Sequence, residues 1–152
     1  MKVHSQTDVG LVRTLNEDAC RTGLLGENGA WAVVCDGMGG ANGGEIASET
    51  AVNSIEEQIL ASYEEDFKSE EMKLMLSTLI FHANSAVYDM AQENESLKGM
   101  GTTIVVAIVL DNVAHIAHAG DSRAYLLHNG NIMQITTDHS MVQELIKNGD
   151  LT

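Results

Sequence analysis

The order in which the sequence changes its hydrophobic period constrains the fold more than any other feature. Between Gly44 and Glu65, Ile46, Val52, Ile55, Ile59 and Tyr63 recur at helical spacing, with Glu45, Glu49, Glu56 and Glu57 on the remaining faces. A second stripe of Met72, Leu76, Leu79, Ala83, Val87 and Met90 runs through Ser69 to Asn94, with Glu70 and Glu71 in the first turn, where a helix favours anions. Two long helices therefore follow one another with no strand between them. Compact apolar runs bracket the pair, Ala30 to Cys35 before it and the β-branched Gly101 to Leu110 after it. Further strands are predicted at Val113 to Ala119, Ser122 to Leu127 and Asn131 to Ile135, with turns at Asp111-Asn112, Gly120-Asp121 and the hairpin dipeptide Asn129-Gly130. Val3 to Thr7 reads as a short strand leading into a polar loop, and Ser140 to Asn148 as a last helix capped by Gly149. Strands, two helices and then an antiparallel meander make an α+β fold with helices on sheet faces, not an alternating parallel one.

At 152 residues the chain has the length of one domain, and a complete domain of that size buries roughly 70% of its unfolded surface. A composition of 44% hydrophobic and 20% charged residues is that of a globular protein. With 22 acidic and 8 basic side chains the formal net charge is −14, which disfavours nucleic acid and anionic lipid as partners. The acidity serves solubility, or attracts divalent cations. Cys20 and Cys35 have no zinc-type spacing and read as reduced residues. No apolar signal core follows Met1, and the longest apolar run, Ile104 to Leu110, is far too short to span a bilayer, so a cytoplasmic location is expected.

The chemistry gathers at strand ends. Asp36-Gly37 closes an apolar strand and opens a glycine-rich loop, where a rigid carboxylate and a neighbouring carbonyl could face one hard cation; an ordinary Asp-Gly turn is the competing reading. Glu17 and Asp18 are either a solvated pair or further ligands, and Arg13 either a surface residue or a phosphate clamp. Asp121 breaks a strand in a similar setting, as a ligand or as a bulge residue paired to Arg123. No two of the six histidines have a metal-binding spacing, so all are read as structural or exposed. Nucleotide-binding glycine loops and the Gly-x-Ser-x-Gly elbow are absent, and Asp36 beside Cys35 would discourage a thiolate.

Taken together, Arg13-Thr14-Leu15-Asn16-Glu17-Asp18, Val34-Cys35-Asp36-Gly37-Met38-Gly39-Gly40, Met100-Gly101-Thr102-Thr103 and Gly120-Asp121-Ser122-Arg123-Ala124 occur in an order that resembles the PPM (type 2C) serine/threonine protein phosphatases, over nearly the whole chain. The resemblance implies a helix-flanked β-sandwich of four layers (αββα) with a binuclear magnesium or manganese centre. By that likeness Asp36 bridges the two metals, the Gly37 carbonyl binds one, and Glu17 and Asp18 hold the site directly or through water. Asp121 matches a third, weaker metal position and Arg13 the phosphate-binding arginine, whose forked donors suit two phosphate oxygens. Phosphoserine and phosphothreonine in proteins would be hydrolysed by a metal-activated water. The implied partners are phosphorylated proteins, the targets of a cognate serine/threonine kinase and the kinase itself.

Met38 stands where many eukaryotic relatives have histidine, as in bacterial members. The family's pattern continues beyond Thr152 with a flap and two more metal-binding aspartates, so this chain is expected to be the N-terminal part of the domain and to have little activity alone. The alternative is a non-catalytic module that binds phosphoproteins through Arg13 and a degenerate metal site.

Overall fold

The computed structural model describes residues 1–39, 43–64, 67 and 69–140. Among the described residues, seven strands and two α-helices follow in the order β1 (Asp18–Leu25), β2 (Gly29–Met38), α1 (Gly44–Ser62), α2 (Ser69–Glu93), β3 (Gly101–Thr102), β4 (Ile104–Leu110), β5 (Val113–Ala119), β6 (Tyr125–His128) and β7 (Asn131–Gln134), with a short 3₁₀ turn at Glu95–Leu97. The main sheet runs β1-β2-β4-β5, all antiparallel, with β3 also paired to β2. β3 and β4 keep one register against β2, from Gly37↔Thr102 to Val34↔Val105, so the predicted strand from Gly101 to Leu110 is one line interrupted at Thr103. β6 and β7 form a separate two-stranded sheet.

Side-chain alternation decides which face of the sheet is covered. In β2, Trp31, Val33 and Cys35 are buried, and their register partners carry Val106 and Ile108 of β4 onto the same face. α1 packs there against β1 and β2, while α2 packs on α1 and β5. Ile55 and Ile59 of α1 are fully buried; each such side chain is worth about 1.5–3 kcal/mol of transfer free energy. The early part of α1 approaches the sheet through small residues instead, Gly44, Ala47, Ser48 and Ala51. α2 contributes Met72, Leu76, Leu79, Ala83 and Val87, and at its end Ala91 is buried while Met90 turns out to face Thr50.

Three expectations change. Val3 to Thr7 forms no strand; it lies exposed, and Thr7 accepts a 2.7 Å hydrogen bond from Asn16 Nδ2. The polar segment from Asp18 is not a loop but β1, an edge strand whose outer residues are only half-buried, which removes the period-2 signal. The meander is split, because after Gly120 the chain leaves the main sheet and re-forms strand only at Tyr125. The helix expected from Ser140 to Asn148, its cap Gly149, and Gly40 of the glycine loop lie outside the described residues.

Candidate metal and phosphate site

β1 starts where β2 ends, and antiparallel pairing sets Asp18 directly opposite Asp36. Asp36 is fixed at both backbone groups by the strand break at Thr103. Its N–H donates to Thr103 Oγ1 at 3.0 Å, and its carbonyl accepts from Thr103 N–H at 2.9 Å. The Thr103 hydroxyl also meets Ser122 Oγ at 2.6 Å, which ties the turn after β5 to the same point. That turn needs Gly120, at φ +106 and packed on Thr103, leaving no room for a side chain. Asp121 is thereby brought within electrostatic reach of Asp36.

Gly37 is equally constrained. Its N–H donates to the Glu17 carbonyl at 3.0 Å, and a Cβ there would collide with the backbone of Gly44 at the start of α1. A Cβ on Gly44 would in turn collide with the Glu17 carboxylate. Two glycines thus let the end of β2, the start of α1 and the Glu17 loop close on one another. Asn16 orients that loop: its Oδ1 accepts from Asp18 N–H at 3.1 Å while its amide holds Thr7. Arg13 Nη1 donates to Glu17 Oε2 at 3.0 Å, with the arginine side chain 66% exposed. Asp8, Arg13, Asn16, Glu17, Asp18 and Asp36 border a cavity of about 280 Å³.

The electrostatics of this end are those of crowded carboxylates. The Asp36 carboxyl is held above its ordinary range, first by partial desolvation, then by the charge of Asp18 and a hydrogen bond with it, and by Asp121, with Arg13 opposing. Cys35, facing the opposite way into the core, has its thiol pushed up to about 12 by burial, which fits the reading of an inert residue.

Carboxylates, a strand-end carbonyl and space for water are the donors that magnesium and manganese prefer. Among the described residues, however, no three His, Cys, Asp or Glu side chains converge closely enough to cage an ion by themselves. The donor types fit a hard divalent cation, and water would have to fill much of its shell.

Arg123 does not pair with Asp121, the bulge reading of that residue. It makes a forked contact with Asp138, Nε to Oδ1 at 2.8 Å and Nη2 to Oδ2 at 2.6 Å, which holds the Asp138 carboxyl below its usual range. His118 stacks on His139 with ring centroids 4.3 Å apart, and its Nε2 lies 2.9 Å from the Thr137 carbonyl, a structural use of histidine. The site functions of Asn16, Thr103 and Ser122 went unseen in the sequence. Thr103 alone carried a signal, as a hydroxyl inside an otherwise apolar strand.

The family described as protein phosphatase 2C matches residues 12–146. The serine/threonine phosphatase stp of Listeria welshimeri is 36% identical over 155 positions, covering 100% of this chain and 60% of that protein. The crystal structure of the serine/threonine phosphatase Stp1 from Staphylococcus aureus superposes with a TM-score of 0.87 at 39% identity, over 97% of this chain and 57% of that one. The catalytic domain of the serine/threonine protein phosphatase PstP, in complex with two manganese ions, gives 0.77 at 34% identity over 97% of this chain and 60% of that one. The chain therefore spans about 60% of the length of the curated relatives it matches. A profile over most of the residues and an α+β fold shared with these phosphatases at this level of identity establish that the chain belongs to the protein phosphatase 2C family.

Proposed function

We propose that this chain supplies the first part of a metal-dependent site that hydrolyses phosphoserine and phosphothreonine in proteins at a binuclear magnesium or manganese centre. The observation that carries the reading is the pairing of Asp18 with Asp36 across β1 and β2, with Asp121 near enough to raise the proton affinity of Asp36. Carboxylates that repel one another at a rigid strand end are stabilised as anions by a cation. The two manganese ions in the PstP structure support the same reading.

Asp36 would bridge the metals, the Gly37 carbonyl would take one of them, Glu17 and Asp18 would act directly or through water, and Asp121 would serve a third, weaker position. When bound, such ions acidify a water and neutralise the charge that builds on phosphoryl oxygens. The chain's own groups do the rest. Thr103 fixes the backbone of Asp36, and the Gly37–Gly44 contact sets its carbonyl at the strand end. Arg13, exposed and hydrogen-bonded to Glu17, can turn its fork to two phosphate oxygens. Met38, exposed at the end of β2, has no proton to give, so the leaving group takes its proton from water.

Substrates would be phosphoproteins made by a cognate serine/threonine kinase, the kinase included, and the setting the cytoplasm. The net charge of −14 supports the exclusion of nucleic acid and anionic membrane, and no helix among the described residues is long and apolar enough to cross a membrane. The lack of a three-carboxylate cage among the described residues favours a second reading, a phosphoprotein-binding module with a weak metal site.

Phosphate release from a phosphothreonine peptide decides between them, assayed on the protein extended to the length of its relatives, with Mn²⁺ or EDTA. Turnover that needs Mn²⁺ and disappears in Asp36→Asn supports the enzyme. Peptide binding lost in Arg13→Ala, without turnover, supports the module. Turnover that survives in EDTA contradicts both.

A further inference from the structure

Asn84, Tyr88 and Gln92 follow one another at four-residue steps in α2, which sets them along one ridge of the helix. All three are exposed, and no hydrogen bond within the described residues engages their side chains. They border a groove of about 360 Å³ between the second half of α2 and the strands β3, β4 and β5, a volume within the range of about 300–1,000 Å³ found for ligand clefts. Its most buried lining residues are apolar, Ala83, Val87 and Ala91 of α2 and Ile104 of β4. No Asp, Glu, Lys or Arg lines it, in a chain with a net charge of −14.

This groove is continuous with the metal and phosphate site through three of its lining residues. Met38 stands two positions beyond Asp36 on β2, and both are exposed where the residues between and before them are buried, so they share a face. Thr102 is the register partner of Gly37. Ala119, paired with Ile104, leads into the Gly120 turn that carries Asp121.

We propose that the groove receives the extended segment of the substrate protein adjoining the phosphorylated residue, and selects an apolar side chain there; the inference rests on the phosphatase reading above. A primary amide offers a donor and an acceptor at once, the complement of a peptide unit. From Asn84 to Gln92 the helix rises about 12 Å, the reach of about three to four extended residues. In such a segment residues two apart point the same way, about 6.6 Å from each other, as Asp36 and Met38 do in β2. With the phosphorylated side chain over Asp36, the residue two positions along comes to Met38 at the mouth of the groove. A charged side chain there would lose water without gaining a counter-charge, whereas leucine or methionine gains by leaving water for apolar walls. Methionine adapts its shape to what it meets, which suits a groove that accepts several sequences. Because the groove opens to one side of the site, the preference belongs to one side of the phosphorylated residue.

Steady-state kinetics with Mn²⁺ test this on the protein extended to the length of its relatives. The substrates are p-nitrophenyl phosphate, too small to reach the groove, and alanine-flanked phosphothreonine peptides with one Leu, Lys or Asp two or four positions before or after the phosphothreonine. Leu is expected to raise kcat/KM about tenfold over Asp or Lys, on one side only. In the double variant Asn84→Asp, Gln92→Glu, near-isosteric changes at exposed helix positions, the preference should turn: relative to p-nitrophenyl phosphate, the Lys peptide gains and the Leu peptide loses. A merely structural role of these amides would not exchange one preference for another. Peptides that follow p-nitrophenyl phosphate whatever stands at those positions overturn the proposal and leave the phosphatase reading standing. So does a Leu preference that the two carboxylates do not alter. Hydrolysis of neither substrate overturns the phosphatase reading, and the proposal with it.

Discussion

Gly37 shows how one missing side chain decides the geometry of the site. The backbone of Gly44 and the carbonyl of Glu17 occupy the place its Cβ would take, so the end of β2 can meet the start of α1 only without it. Gly37→Ala is expected to cost about 1–3 kcal/mol through overpacking. Urea denaturation followed by Trp31, the chain's single tryptophan and a buried one, measures this. Cys35 is the neighbour with the opposite character. With its thiol pushed up to about 12, iodoacetamide at pH 8 should leave it unmodified in the native chain and alkylate it once urea exposes it, as peptide mass mapping would show. At this scale Asp36-Gly37 could be found from the sequence, because a carboxylate between an apolar run and a glycine loop is a local signal. Its register opposite Asp18 could not, since β1 mixes Arg21, Thr22 and Gly23 and gives no alternation. The Arg123–Asp138 fork is a pairing between residues far apart in sequence, which spacing rules do not reach.

The elements were more legible than their pairings. Both long helices follow from periodicity alone, within a few residues at their ends. What periodicity under-reads is the small-residue contact of α1, where Ala47 and Ala51 touch the sheet but weigh little in an apolar count. The turns were legible for a physical reason. Asp111 and Asn112 sit at φ 46 and 69, and Asn129 and Gly130 at φ 50 and 76, the left-handed conformations that a two-residue hairpin requires. Asn112→Ala should therefore destabilise the chain by about 1–2 kcal/mol, while Asn112→Gly should leave stability equal or slightly higher. Urea midpoints of the two variants make the comparison. The split of the meander was not legible, because Tyr125 to His128 and Asn131 to Gln134 form a hairpin wherever they sit, and nothing local says that they leave the main sheet.

For the whole molecule, the two helices cover one face of the main sheet, and Val34 on the other face is 48% exposed. The candidate site lies at the edge of that arrangement, where β1, β2, β3 and the turn after β5 converge. The order of strands and helices was readable from the changes of period, whereas the approach of Asp18 and Asp121 to Asp36 depends on long-range pairing. The central claim is that this end of the sheet binds a divalent cation through Asp36, and titration calorimetry of the chain with MnCl₂ tests it most directly. At pH 7 the account predicts saturable binding, removed by Asp36→Asn and weakened as the pH falls, because a carboxyl held above its usual range takes up its proton earlier and competes with the metal. Saturable binding unchanged by Asp36→Asn would contradict it.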